Sequence, residues 1–244
     1  MKKSIALFLF STFVFALFWS AKPWGFWGHK RVNRIAVYTL PPDMFEFYKK
    51  NIEYLTEHSV DPDKRRYAID GEAPRHYIDI DHYGKHPFSE VPRDWDSAVA
   101  KFTEDTLQLY GILPWHLEVL LTRLTFAFKE KDPGRILKLS AEIGHYIGDA
   151  HVPLHTTKNY NGQLTNQKGI HGLWESRIPE LFGDNYDYFM NRAEYIDDVS
   201  AFIWKTILTS NICVDSVLDF ERNLTAEYPS DKKYTYEERG LKTI

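Results

Sequence analysis

Apolar residues recur every three or four positions over most of this chain, the spacing of one face of a helix, and the strict alternation of a half-buried strand is almost absent. The pattern predicts helices over 32–38 and 44–55, on either side of Pro41-Pro42, and then over 97–110. Pro114 suits the first turn of a helix running to about 130, and Asp132-Pro133 opens another over 134–150. Further helices are expected over 173–181, 193–209 and 216–226. Residues 59–95, rich in Pro, Asp, Gly and Tyr, read as a long irregular segment, which in a compact domain usually has a functional reason. No repeat or linker divides the chain. The expectation is a single all-α globular domain over 24–226, followed by a polar tail over 227–244.

The N-terminus departs from this pattern. Lys2 and Lys3 precede an apolar run from Ile5 to Trp19, broken only by Ser11 and Thr12. That is the form of a signal peptide, expected over 1–21, and it implies a secreted or periplasmic protein. The run is short for a membrane span of about twenty residues, and no later segment is expected to cross a bilayer. Cys213 is the only cysteine, so an exported chain has no internal disulfide and must rely on packing or bound metal. A formal charge of −4 gives no general attraction to polyanions, so any contact with nucleic acid or phospholipid must be local. Nothing calls for an obligate protein partner, and a monomer is expected.

The chemistry is concentrated in the stretch HYIGDAHVPLH, residues 145–155, which holds three of the ten histidines. In the helix over 134–150, Ile136, Leu139, Ile143 and Ile147 form the expected buried stripe. His145 and Asp149 stand one turn apart on a nearly opposite face, beside Ala141, Gly144 and Gly148. Each glycine costs about 1 kcal/mol relative to alanine inside a helix, so something is expected to pack close there. Pro153 stops the helix and lets His155 turn back toward this face, whereas His151 points elsewhere. His171 and Glu175 repeat the same i, i+4 spacing. Imidazole plus carboxylate at one helical turn offers two ligands to one ion, and Zn2+ accepts both types.

The ordered set H145-x-x-x-D149, P-L-H155 and H171-x-x-x-E175, preceded by His76-Tyr-Ile-Asp79 and Trp24-Gly-Phe-Trp-Gly-His29, resembles the zinc-dependent phospholipase C and S1/P1 nuclease superfamily. The resemblance covers about 24–175 and implies a helical, exported phosphoric ester hydrolase with three Zn2+ ions in one cleft. By motif position, it implies one ion on His76, His145, Asp149 and an upstream aspartate. Asp63 is preferred for that place over Asp61, because its Pro-Asp-Lys-x-Arg run is the closer match. A second ion falls to His155, His171 and Glu175. A third falls to His29, to Asp149 as a bridge, and to the free amine and carbonyl of Trp24. Because Ala21-Lys22-Pro23 precede Trp24, two ions are expected if Trp24 is not the mature N-terminus. The upstream aspartate is also the expected catalytic proton acceptor.

Glu175 and the short connection between His155 and His171 resemble the phospholipase branch, so the substrate is expected to be a phosphodiester of phospholipid type. Single-stranded nucleic acid or a nucleotide is the alternative substrate, and a non-catalytic metal-binding envelope protein is the alternative from another class. Around the site, Asp79 is expected to orient a ligand or cap a turn, and Tyr77 reads as a core aromatic, with lining of the cleft as the alternative. Trp27 and Trp174 read as core aromatics. His58, His82, His86 and His116 read as ordinary polar residues, and Lys64-Arg65-Arg66 as a solvated patch.

Overall fold

Proline and acid caps cut the chain into helices close to where the periodicity places them. The computed structural model describes residues 25–227 and the backbone of one strand pair, Glu238–Arg239 with Lys242–Thr243. The expected signal peptide, Trp24 and most of the polar tail lie outside the described residues. The helices are α1 (Phe26–Thr39), α2 (Pro42–Lys50), α3 (Ile52–His58), α4 (Asp61–Arg65), α5 (Pro87–Glu90), α6 (Trp95–Phe102) and α7 (Glu104–Tyr110). They continue as α8 (Leu113–Lys129), α9 (Pro133–Ala150), α10 (Ile170–Gly172), α11 (Ile178–Phe182), α12 (Val199–Ile212) and α13 (Val214–Glu227). The result is a single all-helical domain, with the one strand pair beyond α13.

Helix α9 is the axis. Asp132 caps it by accepting the Arg135 amide at 3.0 Å, as the Asp-Pro start signal implies. Helices α1, α3, α8 and α12 all pack around it. On the α8 side Ile136, Leu139 and Tyr146 join Leu113, Leu117, Leu120 and Ala127 in the main core. The expected apolar stripe is only partly correct, because Ile143 is half-buried and Ile147 is 38% exposed. The face bearing His145 and Asp149 is instead the more deeply buried, since α1 lies directly upon it.

That contact explains the glycines. A Cβ on Gly144 would stand 1.6 Å from Asn33 Oδ1, and one on Gly148 would stand 3.0 Å from His29 Nδ1. Buried Asn33 donates to the carbonyls of Ala141 at 2.9 Å and Leu55 at 3.3 Å, tying α1 to α9 and α3 through one side chain. The cost of two glycines inside a helix is offset by bringing His29 within reach of Asp149.

Several expectations about elements need correction. The helix expected over 97–110 breaks at Thr103 (φ +69°), whose hydroxyl accepts the Thr106 amide and starts α7. The helix expected from 193 begins only at Val199, where Asp198 accepts the Ala201 amide at 2.8 Å, leaving 186–198 without helix or strand. Val199–Glu227 is also long and apolar enough by composition to cross a bilayer. Within it, however, Ile203, Trp204 and Ile207 are buried in the main core. The irregular segment expected over 59–95 is a series of short turns, including the 3-10 turns Ala73–His76 and Ile80–His82.

Gly144→Ala is expected to destabilise the protein by roughly 1–3 kcal/mol net, the displacement of Asn33 outweighing about 1 kcal/mol of helix propensity. Urea unfolding would measure it. Asn33→Ala, which makes room for the new methyl group, should recover part of the loss in the double variant.

Candidate metal centre

Asp149 sits in the last turn of α9, 1% exposed, and four imidazoles converge on it. Its Oδ2 lies 3.0 Å from His76 Nδ1 and 3.3 Å from His145 Nε2. Its Oδ1 lies 3.4 Å from His155 Nδ1 and 3.5 Å from His29 Nε2. Each histidine arrives from a different place. His145 is one turn earlier on α9, His29 comes from α1, His76 ends a 3-10 turn, and His155 lies in the turn Pro153–Thr156 that follows the proline stop.

Asp63, in α4, completes this group. Its Oδ1 is 3.7 Å from His76 Nδ1 and 3.8 Å from His145 Nε2. Asp61 faces away, held by His58 Nδ1 at 2.6 Å and Lys64 Nζ at 2.8 Å. Of the two aspartates that the sequence left open, Asp63 is therefore the one at the site. On the far side, His155 Nε2 lies 3.3 Å from Glu175 Oε1, and His171 Nε2 lies 3.9 Å from Glu175 Oε2. Leu173–Arg177, which carries Glu175, forms a π turn between α10 and α11, a local widening of the helix often found at functional sites.

These side chains form three groups able to hold a metal ion, the first two sharing His145: His29, His145 and Asp149; Asp63, His76 and His145; and His155, His171 and Glu175. The donor spacing supports this. A tetrahedral ion with bonds of about 2.0–2.2 Å needs donors roughly 3.3–3.6 Å apart. The five separations around His76, His145, Asp149 and Asp63, at 3.0, 3.1, 3.3, 3.7 and 3.8 Å, bracket that range. Asp63 Oδ2 and Glu175 Oε2 are buried without a hydrogen-bond partner, an arrangement that is costly unless a cation is bound. The outward nitrogens of two rings are fixed by backbone carbonyls, His145 Nδ1 by Ser59 at 2.8 Å and His171 Nδ1 by Tyr160 at 2.7 Å. Each Nε2 is thereby left to face the cluster.

Electrostatics follow from burial and mutual charge. Burial holds the His29 pKa down at about 3 and His171 at about 4, and it pushes His155 well below its ordinary value, so these rings stay neutral donors. Burial alone would raise the Asp149 carboxyl, but His145 and His155 outweigh it and hold the group well below the usual carboxylate range. Glu175 moves the other way, raised well above its ordinary value by burial and then by the negative charges of Asp149 and Asp63. His145 would be lowered by burial, but Asp149 and Asp63 reverse this and raise it.

No family model, curated protein or solved structure matches this chain. The case for the site therefore rests on its geometry and on the motifs in the sequence.

Every expected ligand within the described residues lies in the cluster, while Trp24 falls outside them. The next residue is placed: the Gly25 amide donates to Ser176 Oγ at 3.0 Å, beside Glu175. The basic run is corrected. Lys64 pairs with Asp61, Arg65 is half-buried, and Arg66 lies close enough to act electrostatically on Asp63, His155, His171 and Glu175. His116 is not an ordinary polar residue. It is buried, its ring meets Tyr146 edge-on at 4.7 Å, and burial lowers its pKa to about 3. Trp27 is half-buried and packs on Gly183, apart from the two buried core clusters, so it is not the core aromatic expected. Asp79 is raised to about 7 by burial and by Asp81.

Binding of a divalent cation should release protons and weaken as the pH falls. Glu175 and His145 hold protons to higher pH than usual, and a metal needs the same lone pairs. Calorimetric titration in buffers of different ionisation enthalpy would show the release, and pH-independent binding would contradict it.

Proposed function

We propose that the cluster holds zinc and that the chain is an exported hydrolase of phosphate esters, of phospholipase C type. The observation that carries this reading is the sharing of one buried carboxylate, Asp149, among His29, His76, His145 and His155, with Asp63 and Glu175 on either side. Imidazole and carboxylate donors without a thiolate suit zinc. The first ion would be held by Asp63, His76, His145 and Asp149, and the second by His155, His171 and Glu175. A third would be held by His29 and Asp149 together with Trp24. Bound zinc supplies Lewis acidity, lowering the pKa of water and neutralising phosphate oxygens.

The chain's own groups do the rest. Asp63 Oδ2, buried and without a partner, is placed to accept a proton from the attacking water. Arg66 brings a permanent positive charge to the edge of a pocket that otherwise carries three carboxylates, which favours a phosphate group there. Burial of His29, His155 and His171 keeps those three rings unprotonated as donors. No protein nucleophile is required.

The connection from Thr156 to Ile170 favours a lipid substrate. It supplies the Tyr160 carbonyl that holds His171, it leaves Tyr160 50% exposed with its ring against His171, and it leaves Leu164 62% exposed on the same connection, apolar groups of the kind that meet a membrane. Single-strand nuclease activity is the second reading. It is favoured by Tyr77, which follows His76 directly and lies within electrostatic reach of Arg66, where a ring can stack on a base.

Zinc-loaded protein is expected to hydrolyse lecithin in a side-by-side assay with denatured DNA, RNA and p-nitrophenyl phosphates. Activity confined to the nucleic acids would select the second reading. Full zinc occupancy without hydrolysis of any of them would instead favour a non-catalytic metal-binding protein. Asp149→Ala should lower kcat/KM by roughly a hundredfold or more, since loss of a residue that merely supports a ligand already costs about 10–100-fold.

A further inference from the structure

Beneath His76, away from the cluster, lies a second charged group that the proposed chemistry does not use. Glu72 is fully buried, and both of its carboxylate oxygens have partners. Oε2 accepts from Arg75 Nη1 at 2.6 Å. Oε1 accepts from the Tyr146 hydroxyl and lies 3.0 Å from Arg65 Nε. Arg65 also donates to Glu142 Oε1 at 2.8 Å and to the Tyr146 oxygen at 3.2 Å. Two carboxylates are thus balanced by two guanidinium groups, and Glu72 remains ionised.

The remaining neighbour of Oε1 is His76 Nε2, at 3.8 Å. His76 turns Nδ1 to the cluster, so Nε2 must carry the ring proton when Nδ1 serves as a donor. That nitrogen is buried and has no hydrogen-bond partner. Glu72 Oε1, within ion-pair range, is the acceptor the structure offers it. His145 and His171 already follow this pattern, with backbone carbonyls holding their outward nitrogens.

We infer that Glu72 is a positioning residue: its buried carboxylate faces His76 Nε2, fixes the tautomer of that ring and aims the Nδ1 lone pair at the site with Asp63, His145 and Asp149. This rests on the reading of the cluster as a zinc site, but not on hydrolysis. Arg65, Arg75 and Tyr146 hold Glu72 in its charged form, facing His76.

The test is zinc affinity, measured by competition with a chromophoric chelator on full-length wild-type protein, Glu72→Gln and Glu142→Gln. Both variants remove one negative charge from the same network, but only Glu72 faces His76. Glu72→Gln should weaken one zinc site by about 10–100-fold and leave the site on His155, His171 and Glu175 unchanged, while Glu142→Gln should bind zinc as wild type does. Equal weakening in both variants, or wild-type affinity in Glu72→Gln, would overturn the inference.

A readout on the wild type stands if Glu72→Gln does not fold. In the zinc-loaded protein, the His76 Nε2 proton should appear downfield and exchange slowly in nitrogen-correlated NMR spectra. A freely exchanging proton at the shift of an unbonded imidazole, or ligation through Nε2, would overturn the inference. Failure of the wild type to take up zinc would overturn both this and the proposed function. Zinc uptake without hydrolysis would count against the hydrolase reading alone.

Discussion

The structure depends on the burial of one carboxylate. Asp149 is buried away from the surface, and a charge removed from solvent is tolerated only where opposite charge or hydrogen bonds surround it. The chain meets that condition with imidazoles drawn from four separate segments, so residues distant in sequence must meet at one point. Much of the architecture follows from this requirement. Helix α1 must lie close on α9, the chain must turn sharply after α9 to return His155, and the irregular segment must bring His76 and Asp63 over the same atom.

Local rules give way where the cluster demands it. Glycines sit inside α9 because side chains there would strike Asn33 and His29. The carboxyls of Asp149 and Glu175 are driven in opposite directions, the first lowered by its imidazoles against the effect of burial, the second raised by burial and then by the two acids near it. Groups whose ionisation is pulled apart in this way are common where ions or reacting groups bind, although structural ion pairs can produce the same pattern.

Much of this was legible in the sequence, for identifiable reasons. The i, i+4 spacing of His145 with Asp149 and of His171 with Glu175, the cap at Asp132, and the small residues on one face of α9 are local features, and local features survive folding. The choice between Asp61 and Asp63 was not legible, because both stand in the same five-residue helix and only the tertiary approach of His58 and Lys64 turns Asp61 outward. The network around Glu72 was also missed, since Glu142 and Tyr146 lie far in sequence from Arg65 and Glu72. One signal was present, however: Glu72 and His76 have the same four-residue spacing as the other pairs. His116 was misread because its burial comes from Tyr146, across the α8–α9 packing. The ends of α7 and α12 were misplaced because a cap at Thr103 or Asp198 is decided by backbone geometry that periodicity does not encode.

The π turn at Leu173–Arg177 divides one continuous helical stretch into two parts with different tasks. An ordinary helix rotates about 100° per residue, so a single inserted residue shifts the phase of everything after it. Before the slip, the stretch presents His171 to the pocket; after it, the stretch leads into Gly183, which seats flat against Trp27 of α1. Removing one residue from the turn would restore regular hydrogen bonding and yet leave these two ends unable to face their partners together.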